Sequence, residues 1–183
     1  MRRGLLNTLG LIVLGVIALG TGPARAETTA NGPYYATPSW DQTLPSSTRF
    51  IVLSNMSSAA VLDRETGLVW EKSPDTTGRE WQVAQFHCNQ RTVGNRKGWR
   101  LPTIQELASL VDPTQSNPAL PPGHPFQYVQ SSFYWSATTS PLPSSGAGFA
   151  WYVYFGDGTV DLLDRTTLPF VWCVRGGQGV DPQ

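Results

Sequence analysis

Five of the chain's 13 basic residues, Arg79, Arg91, Arg96, Lys97 and Arg100, fall between positions 79 and 100, where Glu80 is the single acid. A guanidinium forks onto sulfate or carboxylate through parallel N–H donors, and clustered cations concentrate anionic ligands near a surface. Arg91, Arg96, Lys97 and Arg100 are therefore candidate ligand contacts. The competing reading is a solvated helix-and-loop surface with Arg100 paired to a structural carboxylate. A second candidate is aromatic. Strand alternation over 149–155 puts Phe149, Trp151, Val153 and Phe155 on one face, assigned to the core, and Ala150, Tyr152 and Tyr154 on the other. With that face open, Tyr152 and Tyr154 form a flat platform for a sugar ring or a partner protein. Covered by another element, they are core.

The residue types needed for catalysis are sparse. The sequence holds no Gly-x-Ser-x-Gly, no His-Glu-x-x-His and no phosphate-binding glycine loop. His87 is read as a structural residue bordering the core, and His124 as a solvated loop residue. Asp157, Asp161 and Asp164 form the one acidic cluster. On a strand from Thr159, Asp161 and Asp164 point to opposite faces and cannot share an ion. We expect no catalytic residues, no metal and no cofactor.

Residues 1–26 read as a secretory signal, with basic Arg2 and Arg3, an apolar stretch from Leu9 to Leu19 and a small-residue cleavage site at Ala24-Arg25-Ala26. The expectation is an exported chain, periplasmic or secreted, with no membrane span after cleavage. Removing the signal takes Arg2, Arg3 and Arg25 and no acid, so a precursor with net charge zero becomes mildly acidic. With 14% charged residues, 40% hydrophobic residues and 7 Trp, the composition argues against a basic nucleic-acid binder and a disordered chain. In an oxidising compartment the two cysteines, Cys88 and Cys173, are expected to pair, the alternative being a reactive thiol or metal-ligand pair.

These candidates must be held by elements. Residues 27–48 are polar and turn-rich and read as an extended lead-in; 49–177 read as one domain and 178–183 as a tail. Phe50–Leu53 is a short strand, and Arg64-Glu65-Thr66-Gly67 a turn between strands at 61–63 and 68–71. Trp81, Ala84, Gln85 and Cys88 share one helical face, which buries Cys88. Thr103-Ile104-Gln105-Glu106 is a capping box opening a helix whose apolar stripe runs to Val111, ended by Asp112-Pro113. A proline-rich loop follows over 112–131. Then come a strand at 133–139, a hairpin of 149–155 and 159–164 closed by Gly156-Asp157-Gly158, and a last strand at 170–175 carrying Cys173. Trp70, Trp81, Trp99, Trp135 and Trp172 are assigned to the interior. Strands, two helices, a long loop and an antiparallel meander define an α+β fold.

Arg64 to Trp70, Gly98-Trp99-Arg100-Leu101-Pro102-Thr103, Tyr134 to Thr139, Ala150 to Gly158 and Cys173-Val174-Arg175-Gly176-Gly177 occur in this order. Together they resemble the C-terminal domain family of bacterial collagen-like adhesins, the Lcl C-terminal domain, over about residues 50–177. The resemblance implies a C-type-lectin-like fold in which a cysteine of the first helix pairs with one in the last strand, where Cys88 and Cys173 stand. It also implies adhesion, with sulfated glycosaminoglycans among ligands of the family. The calcium-binding motifs of lectins are missing, and so is a Gly-x-y repeat that would support a trimerising stalk. The expected function is an exported, non-catalytic binding module for a glycan, acidic or sulfated, or for another surface ligand. The alternative is a structural or protein-interaction module of the bacterial envelope with an envelope protein as partner.

Overall fold

A computed structural model describes residues 44–141 and 146–176, together with the backbone of Thr29–Ala30. The leader expected at 1–26 and the tail at 178–183 lie outside the described residues. Among the described residues, no helix is long and apolar enough to cross a membrane.

The elements follow in the order β1 (Thr29–Ala30), α1 (Ser46–Arg49), β2 (Phe50–Leu53), a 3-10 turn (Ser54–Met56), β3 (Ala60–Asp63), β4 (Leu68–Glu71), α2 (Trp81–Gln90), β5 (Trp99–Arg100), α3 (Ile104–Ala108), β6 (Phe133–Thr139), β7 (Phe149–Tyr154), β8 (Thr159–Asp164) and β9 (Val174–Arg175). They build a six-stranded sheet, β1-β2-β3-β4-β9-β5, and a three-stranded sheet, β6-β7-β8. The fold is α+β, with antiparallel pairing throughout except β1 on β2. Two parts of the expected lead-in thus belong to the domain: β1 extends the sheet, and α1 leads into it.

Alternating positions of the two sheets feed two apolar clusters, while β8 is exposed over its first three residues. On one side Ile51, Leu53, Leu62 and Cys173 of the large sheet meet Trp135, Ala150 and Tyr152 of the small one, under Trp81, Ala84 and Cys88 of α2. On the other side Val52, Val61, Trp70, Trp172 and Val174 meet Tyr134, Val153 and Phe155, under Leu107 and Leu110 and the loop residues Leu120 and Phe126. The five tryptophans assigned to the interior are all at most 5% exposed. A charged group is enclosed as well. Arg49 forks onto Asp63 at 3.0 and 2.8 Å, approaches Glu65 at 3.1 Å and donates to the Ser109 carbonyl at 2.8 Å. Enclosed charge is tolerated here because the guanidinium is paired with two carboxylates and a backbone carbonyl.

β1, α1, the 3-10 turn and β5 are not in the sequence reading, and two predicted elements are shorter than expected. The α-helical part of α3 ends at Ala108, short of Val111. Beyond it the bonds tighten to the i→i+3 pattern, Leu110 to Leu107 and Val111 to Ala108, while Ser109 Oγ donates to the Glu106 carbonyl. The last strand is reduced to Val174–Arg175. Its upstream part is broken because the Cys173 amide donates to the Glu71 carboxylate rather than to a neighbouring strand. On β7, Tyr152 is buried and Tyr154 half-buried, so of the two readings of that face the covered one holds.

Candidate functional site

The cations of the basic segment flank α2, whose first amide, on Trp81, donates to the Arg165 carbonyl across the fold at 3.0 Å. The Arg165 guanidinium lies 3.7 Å from the Trp81 ring centroid, a cation–π contact that fixes the same helix end. The other helix end is tied covalently: Cys88 and Cys173 form a disulfide joining α2 to the segment leading into β9.

Carboxylates account for three of the five cations. Arg79 pairs with Asp75 at 2.7 Å. Arg91 reaches back to Glu71 at 2.7 Å, its own side chain 36% exposed and that of Glu71 1%. Arg100 grips Glu106 with two bonds of 2.7 Å while Glu106 Oε2 also accepts the Thr103 amide, so the capping box and the ion pair share one carboxylate. Of the anion-binding candidates, Arg91 and Arg100 are therefore tied to structural partners, and Arg96 and Lys97 stand exposed.

Those two cations sit on a rigid turn. Gly94 and Asn95 both have positive φ, 56° and 59°, and the flanking Val93 and Arg96 exchange backbone bonds of 3.1 and 3.0 Å. This is a two-residue hairpin of the kind that demands left-handed residues at both central positions. A side chain at Gly94 would collide with the Met56 carbonyl, so the turn is seated directly on the 3-10 segment. From beneath, Trp99 Nε1 donates to the Arg96 carbonyl at 2.8 Å. From the side, Arg175 Nε donates to the Lys97 carbonyl at 2.8 Å, where β5 and β9 pair Trp99 with Arg175. Arg175 is partly exposed. It thus brings a third cation to Arg96 and Lys97 from a strand 78 positions away, a neighbour that no local sequence window contains.

The tryptophans do more than fill space. Trp135 Nε1 donates to the Arg79 carbonyl at 2.9 Å, Trp172 Nε1 to the Glu71 carbonyl at 2.9 Å, and Trp81 Nε1 to the Ser136 carbonyl at 2.8 Å. With Trp99, four indoles pin the backbone around the basic segment.

The open tyrosine platform is not present. Tyr152 is 9% exposed, and Tyr154 is half-buried. Phe133 of the neighbouring strand lies across both, 5.1 Å from the Tyr152 ring and 4.9 Å from the Tyr154 ring. The reason is two-sided burial: apolar residues alternate into both clusters, so alternation on β7 does not mark a wet face. Burial raises the Tyr152 pKa, assisted by the negative charges of Asp161 and Asp157.

Asp157, Asp161 and Asp164 each spend a carboxylate oxygen locally, accepting the amides of Thr159, Leu162 and Thr166. Among the described residues no three His, Cys, Asp or Glu side chains converge as a metal site. His87 borders the core with Nε2 3.2 Å from Asp75. Burial and the Arg79 charge lower its pKa against the pull of Asp75, favouring the neutral imidazole. His124 is not a solvated residue. It packs against Phe126, with ring centroids 5.7 Å apart, and burial lowers its pKa.

Glu71 is an enclosed carboxylate whose pKa is shifted upward. Burial outweighs the neighbouring Arg91 guanidinium and the Cys173 amide, both of which favour the charged form.

Fold and site together define a disulfide-closed α+β domain that presents cations on a braced turn beside its last strand. The chain belongs to the Lcl C-terminal domain family, whose model matches residues 59–175. No curated protein matches the chain.

Proposed function

We propose that this chain is an exported, non-catalytic binding module of C-type-lectin-like fold that takes an acidic glycan, sulfated or carboxylated, on the edge formed by Arg96, Lys97 and Arg175. The observation that carries this reading is the division of the basic segment: Arg79, Arg91 and Arg100 are held by carboxylates, whereas Arg96 and Lys97 are exposed on a turn held by Trp99, Arg175 and the Met56 backbone. A braced turn has little conformational freedom to lose on binding, so modest contacts yield useful affinity. The disulfide supports export, and its place between α2 and the segment before β9 supports the lectin-like reading. One observation favours the alternative of a protein-interaction module of the envelope: Val83 and Phe86 on the outer side of α2 are 47% and 63% exposed.

Binding to immobilised heparin, with desulfated heparin as comparator, separates the readings. The expected result is binding that needs the anionic groups, survives a chelator and weakens steeply with salt. Replacing Arg96 and Lys97 together by Ala should lower affinity about tenfold or more without changing thermal stability. Equal binding of desulfated heparin, or an unaffected double variant, would overturn the anionic site.

A further inference from the structure

Tyr128 combines two unusual properties. It is 72% exposed, more than any other large apolar or aromatic residue described. Its φ is +57°, in the left-handed region. The other non-glycine residues with positive φ among those described are Ser57, Ser58, Asn95 and Asn117, all small or amide-bearing. An aromatic side chain there clashes with its own backbone, a cost that glycine escapes and asparagine reduces. Residues held in such strain cluster at ligand sites, where the surrounding structure over-determines them.

The surroundings of Tyr128 do over-determine it. Phe126, two positions earlier, is 6% exposed and packs edge-on against Phe50 and Trp172, with centroids 5.1 and 4.9 Å away. Val129, one position later, packs against the same cluster. The Gln127 amide donates to the Lys72 carbonyl at 2.8 Å, and the Gln130 amide to the Tyr134 hydroxyl at 2.8 Å. The Gln130 side-chain amide donates to the Tyr128 carbonyl at 2.9 Å, which closes the turn. With both neighbours anchored inward, the chain turns the Tyr128 ring outward and holds it there.

We propose that Tyr128, flanked by Gln127 and Gln130, is a second binding site, a stacking platform for an uncharged sugar ring. The ring offers an apolar face to the C–H groups of a pyranose. The side chains of Gln127 and Gln130 are exposed on either side, the first with a free carboxamide and the second with its oxygen free to accept from a sugar hydroxyl. From Pro113 to Ser132 the sequence has no Asp, Glu, Lys or Arg, so a charged ligand finds no counter-ion on this loop. The site is distinct in residues and chemistry from the cationic edge, and it stands whether or not that edge binds an acidic glycan.

The test applies the full, oxidised chain to a printed array of neutral hexose and N-acetylhexosamine oligosaccharides, followed by titration calorimetry with those bound. Wild type should bind at least one, with affinity unchanged at about 0.5 M NaCl, where exposed charge interactions are screened. Tyr128→Phe should bind as wild type. Tyr128→Gly should lose about tenfold or more in affinity while its melting temperature stays level or rises, since stacking is lost and strain relieved. A ring needed only for structure would give the opposite thermal result. Absence of any neutral ligand, unchanged binding by Tyr128→Gly, a lowered melting temperature in that variant, or binding that collapses in salt would each overturn the proposal.

Discussion

Gly94 shows how one residue can control a site it does not touch. Its positive φ belongs to the miniature hairpin under Arg96 and Lys97, and its missing side chain lets that hairpin rest on the Met56 backbone. Gly94→Ala adds left-handed strain and a clash with an atom that cannot rotate away. It should destabilise the fold by about 2 kcal/mol or more in urea unfolding. It should also weaken heparin binding with both cations intact. The residue-level identities were mostly legible in the sequence: a basic segment, a capping box, a cysteine pair, interior tryptophans. The partners were not. Nothing near Arg91 in sequence points to Glu71, 20 positions back, or near Lys97 to Arg175, because those contacts exist only where strands and helix converge. Tyr128 could have been noticed as the tyrosine of a proline-rich loop, but its left-handed backbone and exposure come from the burial of its neighbours.

At the scale of elements, α2 organises the site. It covers one face of the sheets with Trp81, Ala84 and Cys88, and its C-terminal end delivers the chain to the cationic turn. The disulfide ties this helix to the segment that leads into β9, so the strands bearing Arg175 and the turn bearing Lys97 are fixed to each other covalently as well as by the β5–β9 pairing. Closing a loop of 85 positions restricts the unfolded chain. By the chain-entropy model it contributes about 4–5 kcal/mol to stability. Replacing Cys88 and Cys173 together by Ala should remove most of that amount, read as a lowered urea midpoint. The alkylation pattern should agree, with two thiols appearing in wild type only after reduction. The helix was legible in the sequence because its apolar spacing is distinct. The shortness of the last strand was not, since it depends on a carboxylate of another strand capturing the Cys173 amide.

Across the whole molecule, two apolar clusters draw on both sheets, and the exposed cations and Tyr128 lie on turns and loops. The enclosed charges then govern how stability responds to pH. Burial raises the Glu71 pKa above 4.5, so in the folded state it keeps a proton that the unfolded chain has released. Its contribution to stability is present below pH 4.5 and is lost as pH rises through the raised value. His87 acts in the opposite sense: its lowered pKa makes stability fall as pH drops below 6.5. The two trends overlap, and Glu71→Gln separates them. Unfolding free energies measured from about pH 4 to about pH 7 should show wild type losing ground against Glu71→Gln as pH rises, because the variant has no proton to release there. A difference that is flat with pH, or that grows in favour of wild type, would contradict the raised pKa.

The sequence by itself determined the α+β class, the two helices that open near Trp81 and after Thr103, the pairing partners Cys88 and Cys173 and the segment in which the cations would lie. These depend on short-range patterns: periodicity, capping and turn chemistry. Only the tertiary structure decided which of those cations are spent on carboxylates, that Tyr152 and Tyr154 lie under Phe133, and that Arg175 joins Arg96 and Lys97. When both faces of a sheet are buried, alternation no longer distinguishes core from surface. Whether a charge is free also depends on which distant group folding brings beside it.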